Sequence, residues 1–129
     1  KKVGIEVEFK YINEFQKDSK NDIKIACHIL NIEDKGSLDN ILKTIAKGKS
    51  EYADCLESWK KCLEEKGEKV SDTTFIKFWV NNYLRFDTCD KEEQKKSSKK
   101  CNFEKALEKD FWDFEHKSLK SLKFFLKMF

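Results

Sequence analysis

Residues 51–62 read EYADCLESWKKC, and the two cysteines in this stretch, Cys55 and Cys62, decide how the fold is interpreted. Seven residues span nearly two turns, so the two thiols share one face of a predicted helix. Their Cα atoms would lie about 10.5 Å apart at a rise of about 1.5 Å per residue, whereas a disulfide needs less than about 7 Å. Each cysteine is therefore predicted to reach a different element.

The chain carries five cysteines, which favours two disulfides and one spare thiol in a small secreted domain. All five are disulfide candidates: Cys27, Cys55, Cys62, Cys89 and Cys101. In the favoured arrangement both bridges start from the helix that carries Cys55 and Cys62. Alternatively, Cys89 pairs with Cys101 across the lysine-rich segment between them and Cys27 joins that helix. Five reduced thiols in a cytosolic protein are a further alternative. The sequence contains no C-x-x-C pair, so neither a metal site nor a redox site is predicted.

Serine and glycine punctuate most of the remaining chain, which contains no proline to interrupt a helix. Ser37, Ser50 and Ser71 precede apolar segments with helical spacing, and Gly48 and Gly67 follow two of them. The predicted fold is an all-α, single-domain bundle of about six helices over residues 1–129, stabilised by two disulfides. Its helices are 3–17, 19–32, 38–47, 51–66, 73–86 and 103–129, with a polar loop at 88–101. The first segment also alternates as a strand would, but no other segment offers it a strand partner.

Composition excludes several classes of function. Charged residues make up 40% of the chain, but the formal net charge is only +3, which favours a solvated surface over a polybasic one. Arg85 is the one arginine among 27 basic residues, which argues against nucleic-acid recognition. The sequence contains no apolar stretch of about 18 residues, so no transmembrane segment is predicted. No phosphate loop, nucleophile elbow or dinucleotide fingerprint is present, so neither enzyme activity nor a cofactor is predicted.

Recognition residues are predicted from residue type and position. Trp79 is expected in the core, whereas Phe111, Trp112 and Phe114 of DFWDF cannot all face one way. Tryptophan and arginine often dominate binding energy, and loops on rigid scaffolds often carry recognition. The interaction candidates are therefore Arg85, Lys95, Lys96, Lys99, Lys100 and Trp112.

The C-terminal stretch HKSLKSLKFFLKMF places lysines on one helical face and apolar residues on the other. Lys117, Lys120, Lys123 and Lys127 are interpreted first as the solvated side of a bundle helix. The alternative is a binding face for heparin or an anionic surface.

The segments CLESWKKCLEEKG and CNFEKALEKDF, followed by an aromatic C-terminal helix, resemble the anopheline albicin-like salivary inhibitors of the alternative complement pathway. This resemblance implies a secreted salivary protein of a blood-feeding arthropod that evades host defence. It further implies binding, without catalysis, to a host plasma complex, the C3 convertase of C3b and factor Bb. A second resemblance, to insect odorant-binding proteins, implies a carrier of small hydrophobic ligands, but their C-x-x-x-C pattern is missing here.

Overall fold

The computed structural model describes residues 10–18, 20, 22–32, 36–96 and 102–129. Within these residues the chain forms six α-helices, and the prediction of a predominantly helical protein is confirmed. The helices are α1 (Leu38–Ile45), α2 (Cys55–Glu65), α3 (Asp72–Asn82), α4 (Lys91–Lys96), α5 (Phe103–Glu108) and α6 (Lys120–Leu126). A π-helical turn, Tyr83–Asp87, continues α3, and a 3-10 turn, Lys117–Leu119, leads into α6.

The core lies where α1 packs against α3 and is closed by the segment after α5. Trp79 and Tyr83 stack with ring centroids 5.0 Å apart, and Trp112 meets the Tyr83 ring edge-on at 5.3 Å. The core position predicted for Trp79 is confirmed, because that side chain is almost completely buried. The buried cluster comprises Ile41, Leu42, Ile45, Ala53, Phe75, Trp79, Val80, Tyr83, Leu84, Ala106, Trp112 and Leu119.

Helix ends follow the predicted serine and glycine signals in most places. Ser37, Ser71 and Asn102 each accept a backbone N–H from the first turn of α1, α3 and α5, at 3.1 to 3.2 Å. Gly48 and Gly67 adopt positive φ angles of 72° and 83° after α1 and α2. These are left-handed conformations in which glycine avoids the steric strain of a Cβ atom.

Ser50 does not cap a helix, contrary to the prediction. Its Oγ accepts the Ala53 N–H at 2.7 Å within a turn, and α2 begins only at Cys55. The same hydroxyl donates to Asp87 Oδ2 at 2.7 Å, so the buried serine joins the start of α2 to the end of α3.

The two predicted N-terminal helices are wrong wherever the structure describes them. Residues 1–9, 19 and 21 lie outside the described part, and the described residues between 10 and 32 include turns and a hairpin of β1 (Gln16–Lys17) and β2 (Lys24–Ile25). The strands are antiparallel, with Gln16 opposite Ile25 and Lys17 opposite Lys24. Asn13 and Asp22 have φ angles of 65° and 51°, which a right-handed helix cannot contain.

The predicted long helix 103–129 is broken in its middle. Lys109 is extended, and an isolated antiparallel bridge then joins Trp112 to Ala46. This break buries Trp112, whose indole Nε1–H donates to the Ala106 carbonyl oxygen at 2.7 Å, and leaves Phe114 exposed.

The predicted loop 88–101 contains the short helix α4. Asp90 and Glu93 form a reciprocal capping box, in which each backbone N–H donates to the other side chain at 2.9 and 2.8 Å. Glu93 also accepts from Lys109 Nζ at 2.6 Å, and this bond, followed by the Asp90 backbone bond, lowers the pKa of the Glu93 carboxyl.

The prediction of two disulfides is wrong. Cys27, Cys55 and Cys62 are free thiols, so the remaining two cysteines leave room for one bridge at most. Neither thiol of α2 joins another element, because both lie exposed on its surface. Cys89 is buried and is not among the free thiols, whereas Cys101 lies outside the described residues. A pairing between these two therefore stays a prediction.

Candidate interaction surface on α2 and α3

Helix α2 lies at the edge of the bundle and has no fully buried residue. Leu56 is half-buried and packs against the core, which fixes the direction in which the other faces of the helix point. Tyr52, in the turn before α2, is followed at spacings of three and four by Cys55, Trp59 and Cys62 of the helix, and all four residues are exposed. They form one outward stripe, with two aromatic rings and two free thiols.

Phe78 of α3 and Phe86 of the π-helical turn that follows it complete this surface. Tyr52 stacks on Phe86 with ring centroids 5.1 Å apart, and Trp59 stacks on Phe78 at 5.7 Å. Their relative exposures are 55% and 37% in the first pair and 39% and 48% in the second. We call these four residues the exposed aromatic face. Stacking restricts each ring to one orientation, so the face is preorganised.

Partly buried polar contacts hold the start of α2 against the core. Asp54 Oδ1 accepts the indole N–H of Trp79 at 3.0 Å, and Asp54 Oδ2 accepts the Ser50 N–H, also at 3.0 Å. Burial raises the pKa of the nearby Asp87 carboxyl, the hydrogen bond from Ser50 opposes that rise, and the charge of Asp54 adds to it. This network is structural, because its donors and acceptors are satisfied inside the protein.

The Tyr83 hydroxyl belongs to the same buried region. Its oxygen lies 3.2 Å from the carbonyl oxygen of Lys47 and 3.1 Å from that of Phe111. These two carbonyl oxygens share the hydroxyl proton as hydrogen-bond acceptors. Burial, with the charges of Asp87 and Asp54, raises the pKa of Tyr83 to about 12. The neutral phenol is therefore the form that the fold requires.

Lysines secure the middle of α2. Lys60 Nζ contacts Asp72 Oδ1 at 2.9 Å, and Lys43 Nζ contacts Glu57 Oε1 at 3.1 Å. Both ammonium groups also lie over the Phe75 ring, 5.1 and 4.8 Å from its centroid. The hydrogen bond from Lys60 to Asp72 raises the pKa of the Lys60 ammonium group. These contacts seal the core beneath α2 and leave its outward stripe uncovered.

A shallow cleft of about 330 Å³ lies beside Phe78 and extends the exposed aromatic face. It is lined by Thr74, Lys77, Phe78, Asn81 and Asn82. An apolar centre surrounded by amide, hydroxyl and ammonium groups is the usual composition of a protein-binding surface.

The described residues among the predicted interaction candidates lie outside the exposed aromatic face. Trp112 is buried and bonded to Ala106, so its prediction as a contact residue is wrong. Arg85 is half-buried and donates to the carbonyl oxygen of Gln94 at 2.9 Å, which ties the π-helical turn to α4. Lys95 and Lys96 are exposed on α4. Lys99 and Lys100 lie outside the described residues.

The exposed aromatic face was missed at the level of sequence. Its signal was present, since Tyr52 and Trp59 are seven residues apart and Phe78 and Phe86 are eight apart. That spacing equally fits a core stripe, and only the position of α2 at the edge of the bundle decides between the two.

Among the residues that the structure describes, no group of three or more histidine, cysteine or acidic side chains is placed to hold a metal ion. None of the described helices is both long and apolar enough to cross a bilayer. In comparisons with protein-family models, curated proteins and solved structures, the chain has no significant match.

Proposed function

We propose that this chain is a binding protein without catalytic activity that recognises another protein through the exposed aromatic face. The observation that supports this most is the pair of solvent-exposed aromatic stacks on α2 and α3. Tryptophan and tyrosine are enriched among residues that dominate binding energy. Rings already held in one orientation lose little conformational entropy when a partner covers them.

The resemblance to albicin-like salivary inhibitors supplies the partner in this proposal. The chain would be secreted by a blood-feeding arthropod and would inhibit the alternative pathway by binding C3b with factor Bb. Because three of the five cysteines are free, one disulfide at most, between Cys89 and Cys101, is left to support an extracellular location. Secretion therefore rests mainly on the resemblance.

Core packing favours surface recognition over the carriage of a small hydrophobic ligand. Tyr83 contacts both Trp79 and Trp112 at the centre of the helices, where a carrier would need an open cavity. Native mass spectrometry of protein purified without denaturation distinguishes the two functions, since a carrier retains a bound lipid or amine.

A haemolysis assay of the alternative pathway tests the proposal. We expect inhibition by the natural chain and a loss of about 30-fold in potency for the double variant Trp59→Ala, Phe78→Ala, which corresponds to a hot-spot loss of about 2 kcal/mol. Phe114→Ala is the matched control, because Phe114 is an exposed aromatic residue that lies outside α2 and α3.

Two results would contradict the proposal at different levels. If the natural chain does not inhibit haemolysis at micromolar concentration, the proposal of a complement partner is wrong. If the double variant inhibits as strongly as the natural chain and its circular dichroism is unchanged, the exposed aromatic face is not the contact surface.

A further inference from the structure

The outward side of α6 combines lysines with an exposed aromatic ring. At about 100° per residue, Lys120, Phe124 and Lys127 fall within an arc of about 60°. Lys117 lies one 3-10 turn before Lys120, and residues three apart in a 3-10 turn share one side. All four are exposed, and Phe124 reaches 69% relative exposure. We call these residues the C-terminal basic face.

The opposite side of α6 is docked on the N-terminal hairpin region. Phe125 stacks on His28 with ring centroids 5.1 Å apart, and Phe129 meets Phe15 edge-on at 4.9 Å. Phe125 and Phe129 also contact each other at 5.4 Å. These contacts set the rotation of the helix, so the C-terminal basic face has to point towards solvent.

Positive charge dominates this face. Lys123, at its margin, forms an ion pair with Glu115. Within the described residues, Lys117, Lys120 and Lys127 form no ion pair and no side-chain hydrogen bond, so three ammonium groups remain available. An anionic partner therefore fits them by charge.

We propose that the C-terminal basic face docks on an anionic phospholipid surface. The lysines would contact headgroup phosphates and carboxylates, and Phe124 would enter the boundary between headgroups and acyl chains. Attachment would be peripheral and reversible.

The exposed ring distinguishes a lipid surface from other polyanions. A sulfated polysaccharide would satisfy the three lysines, but it offers no apolar phase to Phe124. A membrane interface offers both, and that combination of Lys with an apolar side chain on one helix is typical of interfacial binding. Lipid is therefore the occupant that uses every residue of the face.

Co-sedimentation with vesicles tests this inference. We expect binding to vesicles of phosphatidylserine and phosphatidylcholine and little binding to phosphatidylcholine alone. The triple variant Lys117→Ala, Lys120→Ala, Lys127→Ala should weaken binding by about 100-fold, from the loss of three charges near the surface. Phe124→Ser should weaken it by about tenfold, from lost apolar burial.

Matched controls separate these effects from net charge and from folding. Lys66→Ala with Lys69→Ala changes exposed lysines between α2 and α3 and should alter binding less than twofold per charge removed. Trp59→Ala should leave vesicle binding unchanged, which keeps this surface distinct from the exposed aromatic face. Each variant is compared with the natural chain by thermal unfolding.

Two outcomes would overturn the inference. The first is equal binding to vesicles with and without phosphatidylserine. The second is vesicle binding that Phe124→Ser does not weaken, together with heparin retention that depends on the three lysines, because that pattern defines a purely electrostatic polyanion site.

Discussion

Helices α2 and α3 are both eleven residues long and each carries a tryptophan near its middle, but the structure treats them differently. Helix α3 buries Phe75, Trp79 and Val80, whereas α2 has no fully buried residue. The difference comes from position, since α3 packs between α1 and α2 while α2 has a neighbour on one side only. An apolar stripe at helical spacing thus shows that one face is hydrophobic, but not what covers it.

The two tryptophans give the largest expected contrast. Trp79→Ala should destabilise the fold by about 3–5 kcal/mol, because it leaves a cavity in the core. It also removes the indole N–H that donates to Asp54. Trp59→Ala should cost about 1 kcal/mol, mainly from the lost stacking with Phe78. Urea denaturation of both variants measures the two values.

If the two variants lose similar amounts of unfolding free energy, the contrast between α2 and α3 is wrong. A large cost at Trp59 would mean that α2 is as deeply covered as α3, and the exposed aromatic face would not be free to bind.

The next effect concerns the link between α2 and α3. Ser50→Ala removes the donor to Asp87 and the acceptor of the Ala53 N–H in a buried site, so we expect a loss of about 1–3 kcal/mol at neutral pH. The pKa of Asp87 is already raised by burial, and without the Ser50 bond it should rise further. Stability gained by protonating such a group is present in acid and is lost as the pH rises through the folded-state pKa.

The difference between Ser50→Ala and the natural chain should therefore shrink on acidification from about pH 7 to about pH 4. Taking the difference between the two proteins cancels the opposite contribution of Glu93, whose lowered pKa makes the fold less stable in acid. A difference that stays constant or grows in acid would show that Asp87 does not depend on the Ser50 hydroxyl.

A smaller effect is expected at Tyr83. Tyr83→Phe removes one hydrogen-bonding hydroxyl and should cost about 1 kcal/mol. Because the pKa of Tyr83 is raised to about 12, its stabilising contribution is complete below the usual tyrosine pKa of 10.0 and is lost as the pH approaches 12. In an alkaline titration followed by phenolate absorbance, the natural chain should show a late transition that the variant lacks. If the variant shows the same late transition, that transition belongs to another tyrosine and not to Tyr83.

The helical centre of this protein could be predicted from its sequence. Ser37 and Ser71 mark real helix starts, and Gly48 and Gly67 mark real exits, because capping depends on residues within one turn. The capping box of Asp90 and Glu93 was also readable, but the surrounding lysines made residues 88–101 look like a loop.

Features that depend on distant contacts could not be predicted. The break before Trp112 is stabilised by pairing with α1, through the Lys47 N–H to the Phe111 carbonyl oxygen and the Asp113 N–H to the Ile45 carbonyl oxygen. No local spacing encodes that partner. The cysteine interpretation failed for a similar reason, since Cys55 and Cys62 share a face as predicted, but that face meets solvent rather than another thiol.

The central claim is that the outward stripe of α2 is open surface, and alkylation of the native protein without reduction tests it most directly. Peptide mapping should then find Cys55 and Cys62 modified early and half-buried Cys27 later. If Cys55 and Cys62 react only after reduction, they are bridged. If they react only after denaturation, the stripe is covered. Either result would contradict the account.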